Sequence, residues 1–238
     1  MTSRNDRVCP ATIRDRRDRG IDRTLLYASA LLRQTTAIAF ALLLPLLAQA
    51  QELRAAPDLP LQGVGRVNAI AVQADGKIVI GGAFSYVNSA GAERVNLARF
   101  NSDGTLDASF DIKATSTVNA LAIVGTTLYV GGDFTGLGGT LRNRLASINL
   151  TTATVNAWNP DVNGEVFALA ASGTSLYVGG TFDTVGGAFV RIGLAAYSTT
   201  TGTLLSLDPQ PLDANNTPSF YGVVRALAVS GATLYVGG

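Results

Sequence analysis

A glycine doublet closing a short apolar strand returns four times along this chain, and that recurrence limits the fold to a stack of like units. The fullest copy is Leu128-Tyr129-Val130-Gly131-Gly132-Asp133-Phe134. Ile78-Val79-Ile80-Gly81-Gly82-Ala83-Phe84 comes before it, Leu176-Tyr177-Val178-Gly179-Gly180-Thr181-Phe182 after it, and Leu234-Tyr235-Val236-Gly237-Gly238 last. The doublets begin at Gly81, Gly131, Gly179 and Gly237, so the third interval, 58 residues, exceeds the first two, 50 and 48. Asp208-Pro209-Gln210-Pro211, with Asn215, Asn216 and Pro218, reads as the inserted loop, because proline removes a ladder donor and Asn-Asn suits turns.

The unit beginning at Val118 shows the internal order. Val118-Asn119-Ala120-Leu121-Ala122-Ile123-Val124 is a short apolar strand, Gly125-Thr126-Thr127 a turn, and residues 128–134 a second strand. A Gly-rich loop over 135–140 leads to Leu145-Ala146-Ser147-Ile148-Asn149-Leu150, whose alternation predicts a third strand. A turn at 151–154 precedes a short fourth strand, Val155-Asn156-Ala157-Trp158, which Asn159-Pro160 ends. Four short antiparallel strands repeated in tandem at this spacing are what a β-propeller blade requires. No segment beyond residue 50 sustains a 3.6-residue period, which excludes helical solenoids.

The expected fold is therefore all-β, with four-stranded blades near residues 66–117, 118–165 and 166–223 and a partial one at 224–238. About three and a half repeats would make an incomplete, open propeller. Residues 51–65 stand before the first blade. Within them, 56–65 resemble the blade end at 158–165 and are the candidate for an outermost strand on the last blade.

Composition removes several chemistries. There is no His, and Cys9 is the single Cys, so imidazole bases, Ser-His and Cys-His nucleophile pairs, His or Cys metal sites and an internal disulfide are all excluded. Of the net charge of +1, residues 1–50 hold +4 through eight Arg against four Asp, which leaves residues 51–238 at −3. A weakly acidic body carries no electrostatic footprint for nucleic acid or an anionic membrane.

Residues 1–27 are polar, and an apolar run from Ala37 to Ala48 ends at Ala48-Gln49-Ala50. The run is short for a bilayer span but fits a secretory core followed by a small-x-small cleavage site. Residues 1–50 read as a signal peptide, cut before Gln51, with no stable membrane span left after its removal. An uncleaved anchor helix and a start placed too early are the other readings, since the basic region is long. Arg16-Arg17 stands too far upstream of the apolar run to act as a twin-Arg signal.

Ile70-Ala71-Val72-Gln73-Ala74-Asp75-Gly76-Lys77-Ile78-Val79-Ile80-Gly81-Gly82, followed by Leu97-Ala98-Arg99-Phe100-Asn101-Ser102-Asp103-Gly104-Thr105-Leu106-Asp107-Ala108-Ser109-Phe110, resembles the bacterial delta-60 repeat. Later units keep the Tyr-Val-Gly-Gly-x-Phe and Leu-Ala cores but lose the Asp-Gly-Thr-Leu-Asp turn, and there the resemblance moves toward kelch-like blades. It covers residues 66–238. It implies a propeller in a secreted or surface protein and supplies no catalytic residues.

Three sets of residues invite a functional reading. Arg94, Arg142 and Arg191 each stand three positions before Leu-Ala in the loop after a doublet. On a shared face they would ring it with guanidinium groups fit for a carboxylate, sulfate or sugar acid; alternatively each ties down its own loop through backbone carbonyls. Asn101, Asp103 and Asp107 have the alternating oxygen spacing of a calcium loop, although an Asp-Gly hairpin explains the segment without metal. The doublets, the Phe two residues after them and the Tyr two before them recur in register, which assigns them to strand bending and inter-blade core.

No Walker loop, Asp-box or carboxylate pair is present. The expected function is a non-catalytic extracellular propeller module for binding or surface structure, without a cofactor. Its partner would be a protein or carbohydrate ligand, and the remaining blades would belong to a longer chain. The alternative is a carbohydrate-active or lectin-like propeller whose functional residues lie in blades outside this sequence.

Overall fold

The computed structural model describes residues 61–87, 91–207 and 222–238, all within the unit Ala55–Gly238. The expected signal peptide at 1–50 and the expected inserted loop lie outside the described residues. Among the described residues there is no helix, and so none long and apolar enough to cross a membrane.

Every sheet is antiparallel, and the first two strands of each blade form a hairpin closed by a two- to five-residue turn. The first blade joins β1 (Leu61–Val72), β2 (Ile78–Val87) and β3 (Glu93–Phe100) in that order. In the second, β4 (Val118–Val124) and β5 (Thr127–Gly132) are followed by a small loop ribbon of β6 (Gly136–Leu137) and β7 (Thr140–Leu141). The same sheet is completed by β8 (Leu145–Asn149) and β9 (Thr154–Val155). The third repeats this plan with β10 (Val166–Ser172), β11 (Ser175–Gly180), the ribbon β12 (Thr184–Val185) and β13 (Phe189–Val190), and β14 (Leu194–Ser198). The last has β15 (Ala226–Ser230) and β16 (Thr233–Gly237) alone.

The fourth strand of each blade is shorter than the alternation suggests. It is a two-residue strand in blade two and a single bridge in blades one and three, Phe100 with Leu106 and Tyr197 with Leu204. The chain leaves the sheet early because Trp158 turns off to pack edge-on between Tyr129 and Tyr197, at centroid distances of 5.5 and 5.2 Å.

Both glycines of the doublet have a steric reason. The second sits opposite a bulge in the inner strand, where the register slips between Val67 and Ala69, Val118 and Ala120, and Val166 and Ala168. A Cβ on Gly82, Gly132 or Gly180 would overlap the backbone oxygen of Arg66, Thr117 or Glu165. The first glycine receives the next blade. A Cβ on Gly131 would stand 2.5 Å from a γ-carbon of Val166, and one on Gly179 2.5 Å from Val224; Gly81 meets Val118 in the same way. Each joint thus seats the first valine of one inner strand in the hollow of the preceding doublet.

Two buried clusters fill these joints. Val79, Leu97, Phe110 and Ile112 of the first blade pack with Leu128, Val130, Phe134 and Ile148 of the second. Tyr129 and Leu145 of the second pack with Val166, Leu176, Val178 and Phe182 of the third. The array is open: Ile70 and Val72 on the first inner strand are exposed, as are Ala226, Ala228, Tyr235 and Gly237 on the last sheet.

The segment expected to donate an outer strand behaves differently. Leu61 and Gln62 pair with Tyr86 and Ser85, so residues 61–65 begin the inner strand of the first blade rather than joining the last; residues 56–60 lie outside the described residues. The extension of β2 to Val87 offers a partner one hairpin away, and closing that short loop is entropically easier than reaching a distant sheet.

Candidate functional site

The polar centre of the structure is a buried ion network in the first joint. Lys77 follows the β1–β2 turn, Arg99 lies near the end of β3, and Asp107 enters the fourth-strand position with its N–H donating to the Arg99 carbonyl at 2.9 Å. One carboxylate oxygen of Asp107 accepts from Lys77 Nζ at 2.8 Å and Arg99 Nε at 2.9 Å. The other accepts from the Ser109 N–H at 3.0 Å and its Oγ at 2.6 Å. Arg99 also donates through Nη1 to the Leu150 carbonyl of the second blade at 2.7 Å and lies 4.6 Å from the Phe110 ring centroid. It therefore bridges two blades.

Burial works to raise the Asp107 pKa, but the bonds from Lys77 and Ser109 and the charge of Arg99 outweigh it. Together they hold this carboxyl well below the usual carboxylate range.

The repeats use this position in a graded way. Register places Ser147 and Ala196 where Arg99 stands, and Asn156 and Leu205 where Asp107 stands. Asn156 Nδ2 donates to Ser147 Oγ at 3.0 Å, so the pair is charged in blade one, polar and neutral in blade two, and apolar in blade three.

Around the network opens a cavity of about 380 Å³ lined by Gln73, Asp75, Lys77, Arg99, Ser109, Thr126 and Thr151. Lys77, Arg99 and Asp75 are the charged groups in its wall, and both cations are bound to Asp107. Gln73 Oε1 is buried there without a hydrogen-bond partner. The hydroxyls, the Gln73 amide and the paired cations of this wall can hydrogen-bond a polar ligand.

The three loop arginines each bond a backbone carbonyl of their own loop. They occupy matching positions, and each donates Nη1 to the carbonyl of the residue before it: Arg94 to Glu93, Arg142 to Leu141 and Arg191 to Val190. Arg94 Nη2 reaches the carbonyls of Asp107 and Ala108, with Nη1 3.3 Å from Asp111, and Arg142 Nη2 reaches Asn156 at 2.8 Å. Arg94 and Arg142 thus reach carbonyls at the fourth-strand position of their own blades, where the ladder breaks off and its carbonyls need donors. Replacing Arg142 by alanine should cost about 2 kcal/mol, the worth of a charge-assisted bond to a carbonyl, read as a shifted urea midpoint with an unchanged slope.

The calcium reading also changes. Asp107 faces inward to its two cations, while Asn101 donates through Nδ2 to Thr105 Oγ1 and Asp103 accepts from the Thr105 N–H and hydroxyl. Asn101 and Asp103 meet at the Thr105 hydroxyl, whereas the Asp107 carboxylate is committed to Lys77, Arg99 and Ser109. Among the described residues no group of three or more His, Cys, Asp or Glu is placed to hold a metal ion.

Of the repeated aromatics, Phe84, Phe134, Phe182 and Tyr129 are buried as expected. Trp158 donates Nε1 to the Gly202 carbonyl at 2.8 Å, which fixes it in the second joint. Sequence reading passed over Arg99, the residue that organises the first joint. The signal was present: a charge in the otherwise apolar run Leu97-Ala98-Arg99-Phe100, where sister repeats carry Ser147 and Ala196.

Residues 73–110, which span the turn, the doublet and the whole Lys77, Arg99 and Asp107 network, match the family described as "Domain of unknown function (DUF5122) beta-propeller". The repeats are β-propeller blades. Among solved structures the chain is similar to the computationally designed Ika4 protein, with a TM-score of 0.47 and 18% identity over 79% of this chain and 91% of that one. It is similar also to the computationally designed Ika8 protein, with a TM-score of 0.46 and 16% identity over 74% of this chain and 44% of that one. No curated protein matches the chain.

Proposed function

We propose that this chain is a non-catalytic, extracellular propeller module of the delta-60 type, serving in ligand binding or surface structure. The observation that carries this reading is the state of Asp107. A carboxylate held far below its usual range by two cations is a poor proton acceptor at neutral pH, which fits a structural tie and not a general base. Arg94 and Arg142 are likewise engaged in holding their own blades. What remains accessible is the polar cavity of the first joint, whose hydroxyls, Lys77 ammonium and Gln73 carbonyl oxygen suit a neutral polyhydroxyl ligand such as a glycan.

Three measurements test this. Intact mass of the exported chain should begin at Gln51; retention of Met1 to Ala50 would mean an anchor. Incubation with oligosaccharides and peptides should leave them unaltered, and a turnover that Asp107→Asn abolishes would overturn the non-catalytic reading. Binding of neutral oligosaccharides should weaken about tenfold in Gln73→Leu, the loss of roughly one hydrogen bond.

A further inference from the structure

Building on the glycan reading of the cavity, we propose that the sugar is held as a bridge between two blades. A terminal ring is bonded by Gln73 and Lys77 on one wall and by Thr126 and Thr151 on the other. Three turns meet at this cavity. The turn from Gln73 to Lys77 closes the β1–β2 hairpin of the first blade, while Gly125-Thr126 closes β4–β5 and Leu150-Thr151 follows β8, both in the second.

Each wall keeps polar groups that the protein itself does not satisfy. On the first blade, Gln73 Oε1 has no partner, and the Lys77 ammonium gives one N–H to Asp107 at 2.8 Å and has others left over. On the second, the Thr151 N–H donates to Asn149 Oδ1 at 2.9 Å, but the hydroxyls of Thr151 and Thr126 have no protein partner among the described residues. Neighbouring turn threonines behave otherwise. Thr152 pairs with Thr154, and Thr201 with Thr203, each hydroxyl to hydroxyl at 2.7 Å. A sugar hydroxyl both donates and accepts, so one ring can answer the Gln73 oxygen and the two threonines together. At about 380 Å³ the space lies near the lower end of ligand cavities, about 300–1,000 Å³, and therefore suits the end of a glycan and not its length.

A site built from two blades exists only while they are docked, so ligand and joint stabilise each other. The second joint already has such a crossing, where Trp158 of the second blade donates to the Gly202 carbonyl in the turn after β14. In the first joint Arg99 crosses to the Leu150 carbonyl, next to Thr151, and the sugar adds a second tie beside it.

Calorimetric titration of the intact chain with glucose, galactose, mannose and N-acetylglucosamine, and with their disaccharides, identifies the tightest neutral probe. Thr126→Val and Thr151→Val each remove one hydroxyl at an exposed turn, so both variants should melt as the wild type does. Each should weaken that probe about tenfold and the double variant about a hundredfold, the loss of roughly one and two hydrogen bonds. With probe at about a hundred times its Kd, exchange of the Leu150 and Gln73 amides through opening of the joint should slow about a hundredfold. A probe that binds the wild type and both threonine variants alike, or leaves these amides exchanging as before, overturns the bridge; Gln73→Leu then decides whether the glycan reading of the cavity survives. A wild type that binds none of the probes overturns both.

Discussion

Gly132→Ala should destabilise the fold by about 3 kcal/mol or more, the upper end of what overpacking costs when the obstructing atom is backbone. The new methyl would overlap the Thr117 carbonyl oxygen, which accepts from the Asp133 N–H at 2.9 Å across the inner-strand bulge. Moving that carbonyl aside breaks the bond and opens the bulge. Gly131→Ala meets a side chain instead, the γ-carbon of Val166, and its cost should fall lower, at about 1–3 kcal/mol. Gly237→Ala provides the control, because only Ala226 lies near it and a change within about 0.5 kcal/mol is expected. Urea denaturation of the three variants decides the matter: equal midpoints would mean that the doublets are not packing devices.

Asp107→Asn is the second large effect. It leaves Arg99 buried with its Nε charge unanswered, and breaking one side of a buried pair costs about 3–5 kcal/mol. The pH profile separates charge from shape. The native carboxyl titrates below its unfolded value near 4, so the unfolded chain takes up the proton first and acid favours unfolding. The stabilisation is complete above about pH 5 and is lost as pH falls through 4 toward the native value. Asp107→Asn should lack this acid limb, and parallel profiles for wild type and variant between pH 2 and 7 would refute the assignment. The double change Arg99→Ser with Asp107→Asn installs the pair that blade two uses at Ser147 and Asn156. It should cost less than the two single changes summed, because neither partner is then left with an uncompensated charge.

How far the sequence reaches is clearest at the doublets. Period-two alternation in residues 118–124 and 128–132 reports strand pairing directly, because side chains in a strand alternate faces whatever surrounds them. The paired glycines then mark where each hairpin must bend, and Gly81, Gly131 and Gly179 do so at near-constant spacing. Blade count, strand order and core aromatics follow from these local rules.

The site did not follow. The spacing of Arg94, Arg142 and Arg191 correctly placed them at matching loop positions, but the direction of a long side chain depends on which carbonyls its loop leaves unpaired. Asp107 carries a plausible calcium-loop spacing, yet its carboxylate is turned inward by Lys77, 30 residues away, and Arg99, eight away. Tyr235 repeats the pattern of Tyr129 in every local respect but lies exposed, because burial is decided by a neighbouring blade and not by the strand itself. By itself the sequence determined strands, bends and repeats, which are properties of adjacent residues. Only the tertiary structure decided which charges meet, which arginines are engaged and which blade face stays open, because those depend on partners that the folded chain brings from a distance.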